Sequence, residues 1–487
     1  MYYLLAPHLQ LVGYLKLPFA VYNQKTQRTE FLNREQFHLL YCCDGKHDLD
    51  MDAMSENDCS FFRHILDDGY ATPCEPGERL RPDQEYCYYD NRFKNEVHWS
   101  ITGGCNYRCK HCFMSAPDAK FGHPTTEQCL SLIAQMEECG IKNVIITGGE
   151  PLIRDDFWEL VDACTEHHVT ISCIMTNGAL VNEELLIGLH DRHQHPSFQM
   201  SFDGVGWHDW MRGIDGAEKK VLDAFRLLQK HHVGASAAMV IHKGNMGVIR
   251  ETVRKLAEVG CDSLKINAAS PTGEWQKHPE CFLTFDVTMQ AYLDYIPQYF
   301  EDGAPMGIML EGAFNYEPGA DSFRIVSDKC GGDSFRKMPV CGSLREMVYV
   351  GPDGGVLPCQ SMIQAPIFHR YPNVYTTPLK QILTDSVYIS DVCSNVDAVE
   401  RHNMECAECK YLPNCCGGCR AVAVGANGND FLAPDLNTCR FYKDGWYDKF
   451  KALGEAELKR FTDNGGLARC RDRMNRTEST NIAKLDC

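Results

Sequence analysis

The sequence predicts an α/β protein whose central part is a parallel sheet curled into a partial barrel. From Glu96 to about Asn267, six short apolar runs alternate with amphipathic stretches of helical period. Turn residues mark the junctions, and the chemically unusual residues fall just after the apolar runs, where parallel α/β folds gather their active sites. At 487 residues the chain exceeds one ordinary domain, so smaller units are expected beside the barrel.

The strand candidates are Val97–Thr102, Asn143–Thr147, Val169–Met175, Phe198–Phe202, Ala235–Ile241 and Ser263–Asn267, with helix candidates near 125–139, 155–167, 182–190, 216–232 and 246–258. Six such units make a partial (β/α)6 barrel of the TIM type over residues 93–315, with a further helix at Phe285–Phe300. Residues 1–92 carry strand-like runs at Leu9–Lys16 and Phe19–Tyr22 and helices over Asn33–Cys43 and Asp58–Leu66. That order suggests a compact winged-helix-like unit, with a plain cap on the barrel as the alternative. Residues 316–445 form a cysteine-rich segment, and 446–487 a tail that is helical through Phe461. Its last dozen residues are expected to be loosely ordered.

Hydrophobic content of 44% and charged content of 23% are ordinary for a soluble chain. The net charge of −18 argues against bulk nucleic acid as partner, because phosphates are held by clustered Lys and Arg. The N-terminus lacks the basic start and cleavage site of a secretory signal, and no apolar run spans a bilayer. A cytoplasmic protein with no membrane partner is expected. In that reducing setting 26 cysteines point to metal rather than disulfides. Cys129, Cys139, Cys164 and Cys261 lie among apolar neighbours and read as buried, inert thiols.

Cys105, Cys109 and Cys112 follow the first strand with spacing C-x3-C-x2-C. Three thiolates on one loop can hold three irons of a four-iron cluster and leave the fourth open, whereas electron carriers use four cysteines. A zinc site with His111 as fourth ligand is the alternative. Next come Thr147-Gly148-Gly149-Glu150-Pro151 after the second strand, Thr176-Asn177-Gly178 after the third and Ser201-Phe202-Asp203-Gly204 after the fourth. Taken together, residues 96 to about 275 resemble the radical S-adenosylmethionine superfamily. The resemblance implies that the open iron binds the amino and carboxylate groups of S-adenosylmethionine. It implies Gly148, Gly149 and Glu150 around the ammonium, Thr176 and Asn177 at the methionine end, Ser201 and Asp203 at the ribose, and His111 near adenine. Asn177-Gly178 and Asp203-Gly204 also read as turns.

The second array is Cys341, Gly354 and Cys359, then Cys406-x2-Cys409-x5-Cys415-x3-Cys419, then Cys439, with Cys330 upstream. A zinc ribbon explains only part of it. Its spacing resembles the seven-cysteine SPASM domain. The resemblance implies two auxiliary [4Fe-4S] clusters, one on Cys330, Cys341, Cys359 and Cys419, the other on Cys406, Cys409, Cys415 and Cys439. With the first cluster this makes three. Cys393 and Cys416 fit no position in the pattern.

The combination resembles enzymes that modify ribosomally made peptides, and the N-terminal unit is similar in pattern to domains that capture leader peptides by strand addition. It implies a precursor peptide of leader plus core as substrate, a thioether or other crosslink as product, and flavodoxin or ferredoxin as electron donor. Rival readings are an anaerobic sulfatase maturase, an enzyme of peptide-derived cofactor synthesis, a haem-pathway enzyme and a non-catalytic iron–sulfur scaffold. Gln360 counts against the first, since that family has an acidic residue there. The haem pathway is disfavoured because such relatives generally have fewer auxiliary cysteines.

Overall fold

The structure, a computed structural model, describes residues 1–116, 118–329 and 331–482, while the side chains of Ala53 and of 475–482 lie outside the description. The chain opens with β1 (Tyr2–Leu5), β2 (Leu9–Tyr14), β3 (Leu17–Asn23) and β4 (Arg28–Phe31), then helices α1 (Arg34–Tyr41) and α2 (Glu56–Asp67), then β5 (Ala71–Cys74) and β6 (Cys87–Tyr89). The second to fourth strands and the sixth form a sheet of order β4-β3-β2-β6, and β1 pairs with β5. Asn33 starts α1 with a capping box to Gln36, which satisfies two amides that a helix end leaves orphaned. Leu5, Leu9, Leu11, Val21, Phe37, Leu40, Phe62 and Ile65 fill the core of this unit.

The central sheet contains β7 (Glu96–Ser100), β8 (Asn143–Thr147), β9 (Thr170–Thr176), β10 (Ser197–Ser201), β11 (Ala235–Ile241), β12 (Ser263–Ala268) and β13 (Gly307–Leu310). All seven are parallel neighbours in that order. Helices α3 (Thr126–Glu138), α4 (Phe157–Glu166), α5 (Glu183–Asp191), α6 (His208–Arg212), α7 (Ala217–Lys230), α8 (Ile249–Glu258) and α9 (Phe285–Glu301) run between strands. Along β10, β11 and the first part of β12 the burial alternates. Val144, Ile146, Ala237, Met239, Leu264, Ile266, Ile308 and Leu310 belong to the apolar core shared with the helices. The residues between them face the barrel interior, because successive side chains of a strand point to opposite faces.

The sequence predicted six parallel strands, and the sheet extends further at both edges. On one side β13 is followed by antiparallel β14 (Phe314–Tyr316) and β15 (Arg324–Ile325). On the other, β16 (Met347–Val350) lies parallel to β7 and carries β17 (Val356–Leu357). The cysteine-rich segment is thus attached to the barrel by a strand ladder. The tail is helical over Trp446–Asp463 and again over Gly466–Ile482, and its final residues 483–487 lie outside the described ones.

The N-terminal unit sits at the entry end of the strands. Tyr14 Oη donates to Gly140 O at 2.9 Å, Asn91 Nδ2 to Cys139 O at 3.1 Å and Asn143 Nδ2 to Gln27 O at 3.3 Å. Gly140, with φ +69°, has the Tyr89 ring where a Cβ would stand, 2.4 Å away, so a side chain there would separate the two units. The chemistry-bearing loops are at the opposite, carboxyl end.

Candidate functional site

The loop after β7 carries the three cysteines. Tyr107 N donates to Cys105 Sγ at 3.4 Å, and Arg212 Nη1 to Cys109 Sγ at 3.6 Å. Backbone amides of Met114, Ser115 and Ala116 point at Cys112. Burial pushes the Cys105 thiol up to about 12, and the nearby Cys109, Glu150 and Cys112 charges push the same way. Burial, then Cys109, raises Cys112. Thiols gathered on one loop in this way are a donor set for a cation. A bound metal would favour their thiolate forms.

The Gly148-Gly149-Glu150 loop packs directly on this one. Gly149 N donates to Thr102 O at 2.8 Å and Glu150 N to Gly104 O at 2.9 Å. A Cβ on Gly149 would stand 2.1 Å from Gly104 O, and one on Gly148 2.4 Å from Thr102 O. Only glycines allow that approach. Glu150 is fully buried. Its Oε1 accepts from Thr176 Oγ1 at 2.7 Å and Leu152 N at 3.2 Å, and its Oε2 accepts from Asn177 N at 2.8 Å. Burial pushes its carboxyl up to about 7 despite those donors. Asn177 Nδ2 also donates to Asn106 Oδ1 at 2.7 Å, which ties the third strand's loop to the cysteine loop. Thr176 therefore orients Glu150.

Ser201 ends β10 on the inward face, and Asp203 follows it, fully buried. Asp203 Oδ2 pairs with Arg212 Nη2 at 2.7 Å, and Oδ1 accepts from Val240 N at 3.1 Å. Burial alone would raise the Asp203 carboxyl, but the Arg212 guanidinium and a hydrogen bond with His208 hold it well below the usual range. Arg212 thus connects Cys109 with Asp203. The sequence did not single it out, because nothing in a lone Arg marks which loop it will reach. His111 is enclosed, with Nδ1 unpartnered and burial pushing its pKa down to about 4, so it is a neutral ring. The centroid of Trp275 is 6.5 Å from it.

In the cysteine-rich segment Cys406, Cys409, Cys415 and Cys439 line one small cavity with Leu412 and Thr438. Burial pushes Cys415 and Cys439 up to about 11, with neighbouring thiols adding to it. Cys359 lies within electrostatic reach of Cys341, and Cys419 within reach of Cys359. Cys330 lies outside the described residues. Between the two groups sits Arg420, buried, donating to the carbonyls of Phe431 at 2.9 Å, Ala433 at 2.8 Å and Gly417. Among the described residues no three His, Cys, Asp or Glu side chains converge on one ion-sized point. The second group rings a cavity instead, a donor set that fits a four-iron cluster, whose ligands bind separate corners.

Residues 99–256 match the Radical SAM superfamily and residues 341–410 the SPASM iron–sulfur cluster-binding domain. Mycofactocin maturase MftC of Mycobacterium tuberculosis is 27% identical over 337 residues, 66% of this chain and 78% of its own. The AdoMet-dependent heme synthase of Methanosarcina barkeri is 24% identical over 347 residues, 69% of this chain and 93% of its own. The crystal structure of Streptococcus suis SuiB bound to precursor peptide SuiA superposes with TM-score 0.61 at 15% identity, covering 88% of this chain and 99% of that one.

Proposed function

We propose that this chain, a radical S-adenosylmethionine enzyme with a SPASM domain, abstracts a hydrogen atom from a ribosomally made precursor peptide and so installs a crosslink, thioether among the candidates. When bound, the cluster and S-adenosylmethionine together supply a 5′-deoxyadenosyl radical, whose chemistry is the cofactor's own. The protein's part is to hold the reactants in place and keep water out. Cys105, Cys109 and Cys112 would hold the first [4Fe-4S] cluster. Glu150 would accept from the cofactor ammonium, with Gly148, Gly149, Thr176 and Asn177 shaping that end. Ser201, Asp203 and the neutral His111 ring would border the adenosyl end. Cys406, Cys409, Cys415 and Cys439 would hold one auxiliary cluster, and Cys341, Cys359 and Cys419 with Cys330 the other. Flavodoxin or ferredoxin would supply the electron.

The observation that carries the peptide reading is the free edge of β4. Leu32 N donates to Phe19 O, so the pairs Phe19–Leu32 and Val21–Glu30 are the mutually bonded ones. In an antiparallel ladder the alternate residues, Thr29 and Phe31, then turn their N–H and C=O outward. Phe31 is exposed beside them. That is a place for a leader strand to add. SuiB, solved with its precursor peptide, supports this reading because the likeness extends over most of the chain. In Thr29→Pro no ladder bond is lost, but the outward donor is, and edge strands tolerate proline. With a precursor peptide of leader plus core as substrate, the variant is expected to keep wild-type iron content while leader affinity falls about tenfold, the loss of one hydrogen bond. Fluorescence anisotropy measures the affinity, and mass spectrometry the modification. Unchanged leader binding in Thr29→Pro sinks the proposal for the domain.

A further inference from the structure

We propose that Lys265, Asn267, Glu311 and Asn315 seat the backbone of the substrate peptide inside the barrel, an inference that rests on the peptide reading above. The placement follows from register. Ser201 pairs with Ala238, Ala238 with Lys265 and Lys265 with Met309, so these four form one row across β10 to β13. Their neighbours Met200, Ala237, Leu264 and Ile308 are buried in the helix layer. The row therefore faces the interior. Lys265 stands two strands from Ser201, roughly 10 Å away at the usual interstrand spacing, with only the methyl of Ala238 between them. Asn267 is one inward position further along β12. Asn315 pairs with Met309 across β14 and so shares the same face.

The chemistry of this quartet is unfinished. Lys265 Nζ and Glu311 Oε1 are 3.2 Å apart, with side chains 43% and 50% exposed, so the pair opens into the chamber. The Oδ1 atoms of Asn267 and Asn315 are buried without a hydrogen-bond partner, and Asn315 is only 8% exposed. A buried unpaired carboxamide oxygen is costly, and such groups are normally satisfied. A carboxamide offers the same acceptor and donors as a peptide bond. Two of them, one on each side of β13, with an ammonium for a carbonyl and a carboxylate for an amide, match an extended backbone that crosses this row. They do not match an apolar ring system, which would need apolar walls. The Lys265 ammonium is also within electrostatic reach of Cys359, so a peptide held here lies between the radical-forming loop and the auxiliary cysteines.

The test uses full-length, iron-loaded protein and, as probe, a perdeuterated precursor peptide of leader plus core. Deuterium appearing in 5′-deoxyadenosine reports hydrogen abstraction from bound peptide. Wild-type protein is expected to transfer deuterium. Asn315→Leu and Lys265→Met are each expected to lower the transfer about tenfold at limiting precursor, with recovery at high precursor, while iron content and S-adenosylmethionine affinity stay at wild-type values. Lys265→Met changes a half-exposed side chain, so the test stands even if Asn315→Leu fails to fold. Transfer in both folded variants equal to wild type overturns the quartet and leaves the peptide reading intact. No transfer in the wild type overturns the peptide reading, and the quartet with it.

Discussion

Glu150→Gln separates the binding role of this carboxylate from a structural one, because the two roles are read by different measurements. A carboxylate has about four acceptor positions, and Glu150 uses three, for Thr176, Leu152 and Asn177. The remaining one, on Oε2, is the position a cofactor ammonium would take. Raising a carboxyl from 4.5 to about 7 corresponds to roughly 3 kcal/mol against the ionised form in the cofactor-free protein. Glutamine removes that burden but turns its NH2 toward one of the three donors, at about 1–3 kcal/mol, so cofactor-free stability at pH 8 is expected to stay within about 2 kcal/mol of wild type. The same change removes a charge-assisted hydrogen bond of roughly 1.5–3 kcal/mol, which weakens S-adenosylmethionine about 10- to 150-fold. The pH dependence follows. With the folded pKa above the unfolded one, the stability that Glu150 contributes without cofactor is fully present below the unfolded value of 4.5 and is lost as pH rises through about 7. An ammonium favours the carboxylate, so wild-type cofactor affinity rises between about pH 6 and 7.5, and the variant's does not. Anaerobic equilibrium dialysis against labelled S-adenosylmethionine, beside iron analysis and thermal unfolding, measures all three. A fully iron-loaded Glu150→Gln protein with unchanged affinity and pH dependence refutes the assignment.

Anaerobically reconstituted protein is expected to hold about twelve irons, and Cys105, Cys109 and Cys112 together replaced by Ala about eight. Replacing Cys406 and Cys439 should empty the cavity they line and remove about four more, and zinc in place of iron on metal analysis would contradict the cluster assignments. Arg212→Met leaves Asp203 as a buried unpaired charge and is expected to cost about 3–5 kcal/mol in denaturant unfolding. Asp203→Asn combined with Arg212→Met should recover more than half of that, and equal losses in single and double variants would show that the pair is not what holds the loop.

The parts of this fold legible in the sequence are those whose pattern is local. Asn143–Thr147 and Ala235–Ile241 occur as strands with the expected bounds, because each is a short apolar run closed by turn residues. β13 and β16 were not foreseen. Each has four residues, and β16 pairs with a strand some 250 residues earlier, a partner no local pattern reveals. The helix over Gly466–Ile482 is polar, and among its described residues Leu467 and Cys470 are the buried apolar ones, too few for a helical stripe. In the site, the cysteine loop, Glu150 and Asn177 come together as the order of motifs implied, since each motif ends a neighbouring strand. The partners of Asp203 and the interior row through Lys265 depend on sheet register, which is set by tertiary pairing.

The two ends of the barrel impose a length on the substrate. The auxiliary segment cannot swing aside to shorten the route: β16 is laddered to β7, the buried Lys94 ammonium donates to Leu344 O and to Met347 O at 3.1 Å, and Ser100 Oγ lies 2.8 Å from Tyr349 Oη. Leu379 N reaches Gln135 Oε1 at 2.7 Å, fixing the same segment to α3. The edge of β4 is at the entry end of the strands, while the cysteine loop and the interior quartet open at the carboxyl end. β11, with seven residues, spans roughly 23 Å. An extended peptide covers at most about 3.3–3.6 Å per residue, so the barrel height alone takes about seven residues. Turning over the loops at each end brings the minimum spacer between leader and target residue to about ten. Precursors with Gly-Ser spacers of graded length are expected to bind equally through the leader but to lose modification below that length, as read by mass spectrometry. Undiminished modification with a spacer of about four residues would place the leader at the carboxyl end and remove β4 as its docking edge.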